Sequence, residues 1–544
     1  MRRIASALLA VMALAGCSRN PFCSPDGKVS VDVTGNGLQV RYAGNPVQTI
    51  EIEGEVLPGE NIEIVVRNDG VAFRFLQKER KTTFLIPEGL NRWIGCYGFT
   101  GYEALFPKTT GSAPGKWIYP ALVEYSDGVF GFIAEADIRR DHSCSHLATG
   151  DEKGRYVVET TDADPQYDVT PWRVLLVGPL ENLVASTMIE DLSEPSRIED
   201  TSWIRPGVAS WIYWAYNHGS KDFKTVCNYI DLAAAMGWPY CLIDWEWPQM
   251  EGGYTIDDVM KFAFDKGVRI LLWYNSGTSW VGPGAPQPED LLRTPEAREK
   301  EFAWLESIGV AGVKVDFFAE DGAGMVNYYL DILEDAAKHH LLVDFHGCTA
   351  PRGWQKTWPN LVSLEAVYGA EWYNNVPTFT DVAPSHNATL PFTRGLMGPM
   401  DYTPCTFTDS QHPHITTHAH ELALTVLFQS DVLNMADTPE SYLSQPLEVR
   451  RFLSSLPTVW DETRLICGYP GEYVVMARRK GDVWYVAGIN GTDAPVTLDG
   501  GGFKGDITLF ADGSQDREFS ISQTDQLGGV SCRAHGGFLA VIKD

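Results

Sequence analysis

Apolar and polar residues alternate in short runs over the first third of the chain. Val29-Ser-Val-Asp-Val, Leu38-Gln-Val-Arg-Tyr, Ile62-Glu-Ile-Val-Val and Val71-Ala-Phe-Arg-Phe keep a two-residue period, with Gly, Pro, Asn and Asp between them. Period two buries one face of a strand, so these runs predict a β-sandwich domain over residues 24–204. From residue 205 the pattern changes. Strand-like runs at 209–214, 240–244, 269–274, 312–317 and 341–346 alternate with helical periodicity at 223–236, 256–266, 297–308 and 325–339. Strands that alternate with helices form a parallel sheet. Over residues 205–455 a (β/α)8 TIM barrel is the first reading and a doubly wound sheet the second. Residues 456–544 return to β pattern at 473–479, 483–489 and 538–542, which predicts a small C-terminal β-sandwich.

Composition narrows the class. At 44% hydrophobic and 21% charged residues, the 544-residue chain is globular rather than disordered. Its formal charge of −28 repels phosphates, so no nucleic-acid partner is expected. The 17 Trp and 22 Tyr fit stacking on sugar rings and equally fit a large core. Residues 1–17 read as a secretory signal, with Arg2 and Arg3 before the apolar stretch 4–14, too short for a membrane span. Leu14-Ala-Gly-Cys17 resembles the lipobox of bacterial lipoproteins, which implies lipidation at Cys17. The protein is therefore expected in the periplasm or anchored through that lipid to the outer or inner membrane of a Gram-negative bacterium. Export permits disulfides, but the ten Cys show no CxxC and no zinc spacing, and no pairing follows from them.

Active sites of TIM barrels lie at the C-terminal ends of the strands. The predicted strands end in Asp244-Trp-Glu-Trp, Trp273-Tyr-Asn, Lys314-Val-Asp316, Asp344-Phe-His346 and Glu365. Carboxylates and aromatics thus converge, as glycoside hydrolysis requires: two carboxyls flank the bond and rings stack on the sugar. A lone strand-end Asp is commonly a helix cap; five polar strand ends in one barrel point instead to an exported carbohydrate hydrolase.

Specific stretches sharpen this. Lys314-Val-Asp316 resembles the Lys-x-Asp of retaining α-galactosidases, and 237–244 resembles the strand of that clan ending in a substrate-binding Asp. Arg205-Pro-Gly-Val-Ala-Ser-Trp, residues 358–371 and residues 390–404 are similar to glycoside hydrolase family 97 over nearly the whole chain. The resemblance implies an N-terminal β-super-sandwich, a central (β/α)8 barrel and a C-terminal β-sandwich. It implies the retaining branch, because Gly347 stands where the inverting branch carries its base Glu. On that resemblance Asp316 is the expected nucleophile and Glu371 the acid/base. Asp244, Lys314, His346, His386 and Arg394 are expected at the substrate, the last three fitting packed, hydrogen-bonded core positions equally. Glu135, Glu365 and Glu371 are expected to hold a calcium ion, which takes hard oxygen donors. The expected activity is exo-acting α-galactosidase on an oligosaccharide or polysaccharide, by a monomer. α-Glucosidase, β-L-arabinopyranosidase and a non-catalytic glycan-binding lipoprotein are the alternatives.

Overall fold

The computed structural model describes residues 21–98, 101–165, 167–277, 281–318 and 320–543. The lipobox with Cys17 lies outside the described residues. An antiparallel sheet of thirteen strands, from Val29–Thr34 to Trp172–Gly178, forms the N-terminal part. Its alternating residues Val29, Val31, Leu38, Val40, Phe73 and Phe75 are buried in one cluster. That is the physical content of the two-residue period.

The centre is a barrel. Seven parallel strands run side by side in the order Leu361–Leu364, Leu342–Phe345, Gly312–Asp316, Arg269–Asn275, Tyr240–Ile243, Gly207–Ile212 and Val432–Met435. An irregular segment takes the eighth place: Asp401 N–H donates to the Leu364 carbonyl at 2.9 Å and Met400 N–H to that of Gln429 at 2.7 Å. Leu242, Leu271, Val313, Leu342 and Val432 meet around a residual cavity of about 10 Å³, so the barrel axis is packed. The helices between strands start where side chains satisfy their free N–H groups. Asp222 accepts from Lys224 and Thr225 to open Phe223–Met236, and a Thr255–Asp258 capping box opens Ile256–Lys266.

Predicted strands 209–214 and 341–346 run past the observed ends Ile212 and Phe345, and two more, 240–244 and 312–317, run one residue too far. The latter two stop at Ile243 and Asp316 rather than at Asp244 and Phe317. The reason is local: the carboxylates of Asp244 and Asp316 accept the N–H of the next residue, at 2.9 and 2.7 Å. Phe317 then turns with φ +68° and leaves the ladder.

The C-terminal part is a six-stranded antiparallel sheet with a two-stranded partner. Its inner face (Val475, Ala477, Val486, Ile507, Phe538) is fully buried. Eight described cysteines are free, five of them buried.

Candidate active site

Lys314 and Asp316 are two apart on one strand and so share a face, which here is the upper barrel interior. Both oxygens of Asp316 accept N–H donors: Oδ1 from Phe317 at 2.7 Å and Oδ2 from the Trp273 indole at 3.0 Å. Burial raises the Asp316 carboxyl, and the His346 and Lys314 cations oppose that rise. Donors on both oxygens favour the ionised form. Lys314 Nζ donates to Asp244 Oδ2 at 3.0 Å and lies 3.7 Å from Glu371 Oε1. Burial disfavours its charge, yet Asp244, Glu371 and Asp316 hold the ammonium well above its usual range. Asp244 Oδ2 also accepts the Trp211 indole N–H at 2.7 Å.

Glu371 stands in the turn after the strand Leu361–Leu364. Burial pushes its carboxyl up to about 8 against the pull of Lys314, with Glu365 and Asp316 adding like charge. Burial thus favours the protonated, acid form of this carboxyl. Glu365 Oε2 accepts the Gly347 N–H at 2.7 Å. These groups line a cavity of about 220 Å³ together with Glu103, Tyr213, Trp245, Trp273 and Trp372. A larger cavity of about 640 Å³ opens between Val184, Leu396, Trp460 and Arg478. Of its carboxylates, Asp461 and Glu462 are tied to Lys480, Arg464 and Arg479 and Glu190 accepts from the Gln355 amide at 3.2 Å, and it has none of this convergence.

Asp244, Lys314, Asp316, Glu365 and Glu371 thus come together as expected, and four other expected residues do not line the cavity. Glu135 is the plainest correction. It is fully buried between the guanidinium groups of Arg173 and Arg352, with Ser145 donating to both its oxygens. Its place at the mouth is taken by Glu103, carried in on the loop after the strand Arg92–Cys96. That loop is pinned to the barrel by Tyr102, whose N–H donates to the Cys348 carbonyl at 3.1 Å and whose hydroxyl donates to Asp321 at 2.6 Å. Gly101 makes the approach possible, since a Cβ there would meet Gly347 C and Cys348 N at 3.2 Å. Arg352→Met is expected to lower stability by about 1–3 kcal/mol, since it takes one of two cations from the buried Glu135 and leaves Arg173 as the other. Denaturant unfolding reads this directly.

His346 sits behind the pocket. Its Nε2 bonds Asp401 Oδ2 at 2.8 Å and its Nδ1 lies 3.4 Å from Glu365 Oε1. Burial disfavours its charge, but Glu365 and Asp401 hold the ring well above the usual histidine range. Its two ring nitrogens face Asp401 and Glu365, so it orients Glu365 and does not line the cavity. Arg394 spends its N–H groups on the carbonyls of Leu364, Glu365, Ala366, Gly398 and Pro399. It clamps the backbone that carries Glu365. His386 Nε2 bonds the Tyr368 carbonyl at 3.0 Å, and burial pushes its ring down to about 4. It is a neutral core residue.

Gly347 does more than lack a carboxyl. Its φ is +49°, and a Cβ there would meet Asp316 Oδ1 and Phe317 N at 3.0 Å. The glycine makes room for the Asp316 carboxylate. Gly347→Ala is expected to displace Asp316 and lower kcat about 10- to 100-fold, measured by steady-state hydrolysis.

Glu103, Asp316, Glu365 and Glu371 share this cavity with the single ammonium of Lys314. Burial, then Glu365, Glu371 and Asp316, drive the Glu103 carboxyl well above its usual range. One donor atom each of His346, Glu365 and Glu371 falls within 4.8 Å of the others. A divalent cation beside Glu365 and Glu371 would relieve the repulsion; these two carboxylates and His346 are the groups that lie close enough to share one ion, and Glu103 lines the same cavity.

Comparison with known proteins gives consistent matches along the chain. Residues 30–195, 208–367 and 459–543 match the models for the N-terminal part of glycosyl-hydrolase 97, for glycoside hydrolase 97, and for its C-terminal part, described as oligomerisation. A probable retaining alpha-galactosidase of Streptomyces bingchenggensis is 34% identical over 89% of this chain and 77% of its own length. A retaining alpha-galactosidase of Bacteroides thetaiotaomicron is 30% identical over 83% of this chain and 77% of its own. Among solved structures, a beta-arabinopyranosidase superposes with a TM-score of 0.86 at 27% identity, covering 96% of this chain and 99% of that one.

Proposed function

The chain belongs to glycoside hydrolase family 97, and on that premise we propose that this glycoside hydrolase is an exo-acting, retaining α-galactosidase. The observation that carries the reading is the pairing of Asp316 with Gly347. A carboxylate held by two N–H donors lines the pocket where a side chain at 347 would collide with it. The names of the two relatives at 30% and 34% identity support the α-galactoside.

In this mechanism Asp316 Oδ attacks the anomeric carbon while the bond to the departing oxygen breaks. Glu371 gives its proton to that oxygen. The result is a sugar ester on Asp316. Water then attacks the same carbon, Glu371 takes its proton, and the Asp316 carboxylate leaves. Two inversions give net retention. Lys314 keeps Asp316 ionised and Asp244 accepts a sugar hydroxyl. Glu365 and Glu371 would hold calcium, which supplies countercharge to the carboxylates when bound. The small cavity, about 220 Å³, suits one terminal sugar and so exo action.

The beta-arabinopyranosidase likeness keeps a second substrate in view, because L-arabinopyranose shares the galactose ring stereochemistry without C6. Hydrolysis of the p-nitrophenyl α-D-galactoside, β-L-arabinopyranoside and α-D-glucoside separates the readings. The galactoside is expected to be fastest. Chelation is expected to slow it about 10- to 100-fold, with recovery on adding calcium. A faster arabinopyranoside or glucoside would reassign the sugar, and rates indifferent to chelation would remove the calcium. No hydrolysis with retained sugar binding would indicate a binding protein.

The lipobox at Cys17 supports a lipid-anchored, exported protein, which labelling with a radioactive fatty acid tests in wild type and Cys17→Ser. The oligomerisation description of the C-terminal match supports self-association over the monomer expected from sequence.

A further inference from the structure

Trp245 forms one wall of the cavity and is held at both ends. Its backbone N–H donates to Asp244 Oδ1 at 2.9 Å, and its indole N–H donates to His218 Nδ1 at 2.7 Å. The two rings lie nearly parallel, 24° apart with centroids at 5.0 Å. His218 is also edge-on to Tyr213, a second wall residue, with centroids 5.8 Å apart. Trp245 leans in turn on Trp273, whose indole donates to Asp316.

His218 itself is exposed and lies outside the cavity, so its ring touches the pocket only through Trp245 and Tyr213. Its backbone is strained, with φ +146°. Strain of this kind persists where surrounding contacts over-determine it and clusters at functional sites. The same two loops are joined again by the Lys221–Glu246 ion pair at 2.9 Å and by the Glu251 N–H on the Lys221 carbonyl at 2.9 Å. The loop after the first barrel strand is thus latched to the loop after the second.

We propose that His218 is a positioning residue that sets how tightly the pocket grips the sugar, by fixing the plane of the Trp245 indole. This rests on the reading of the cavity as a sugar pocket. An aromatic wall contributes affinity through a face presented at a fixed angle, and an untethered indole swings on two torsions. The latch acts on substrate and transition state alike, since it reaches no reacting atom.

The test uses the full chain labelled with 5-fluorotryptophan, the Trp245 line being assigned through Trp245→Phe. His218→Ala is expected to broaden or shift that fluorine line and to raise KM about three- to tenfold, the scale of one lost hydrogen bond. kcat is expected to stay unchanged, the signature of lost uniform binding. His218→Asn, which returns an acceptor and tolerates positive φ better than most residues, is expected to restore both. An unchanged KM in His218→Ala, or a Trp245 line unchanged in both position and width, would overturn the proposal. If the wild type hydrolyses none of the three glycosides, the functional reading fails by itself, and the fluorine line still decides whether His218 holds Trp245.

Discussion

Asp316→Asn is expected to lower kcat on an aryl α-galactoside by on the order of 10⁴-fold or more, the scale seen when an enzyme loses its nucleophile. The amide cannot form the sugar ester. It also turns an N–H toward one of the two donors, Trp273 or Phe317, that now serve the carboxylate. Sugar binding is expected to survive, because Asp244 and Lys314 remain. The measurement is a pair: single-turnover hydrolysis, and galactose titration followed by tryptophan fluorescence. Turnover within tenfold of wild type would remove Asp316 from the mechanism.

Glu371→Gln carries the second large effect. General acid–base groups contribute about 10²–10⁴-fold. On a galactosyl oligosaccharide, whose leaving oxygen needs a proton, the full loss is expected. On a nitrophenyl galactoside the first step needs little acid help, so the sugar ester forms quickly and its hydrolysis becomes limiting. A burst of nitrophenol followed by a slow steady state is the expected trace. Equal losses on both substrates, with no burst, would speak against an acid/base role.

Much of this architecture was legible because its cause is local. The helices Phe223–Met236 and Ile256–Lys266 begin and end as their periodicity predicts, with capping residues in the sequence itself. Lys314 and Asp316 share a face by the two-residue period of a strand, so their common destination could be read directly. The failures have long-range causes. Glu135 in Phe132-Ile-Ala-Glu135-Ala-Asp137 looks like a ligand reaching outward until its partners are known, and Arg352 lies 217 residues away. A carboxylate inside an apolar strand signals a buried cation somewhere, without saying which. Glu103 sits in an irregular loop with no period, one of 71 acidic residues, and nothing nearby in the sequence marks it. His346, His386 and Arg394 lie in stretches close to Asp316, Glu365 and Glu371 along the chain, yet their polar atoms are taken by Asp401 and Glu365, by Tyr368 and by backbone carbonyls. Of the two readings open to these three residues, the packed one describes their place, since none lines the cavity.

The central claim is a double displacement at Asp316 with Gly347 leaving room for it. Proton NMR of the first minutes of aryl α-galactoside hydrolysis tests it most directly, because mutarotation is slow enough to reveal the anomer released. α-Galactose is expected first, with β-galactose growing in later. β-Galactose first would mean a single displacement by water, which contradicts Asp316 as nucleophile.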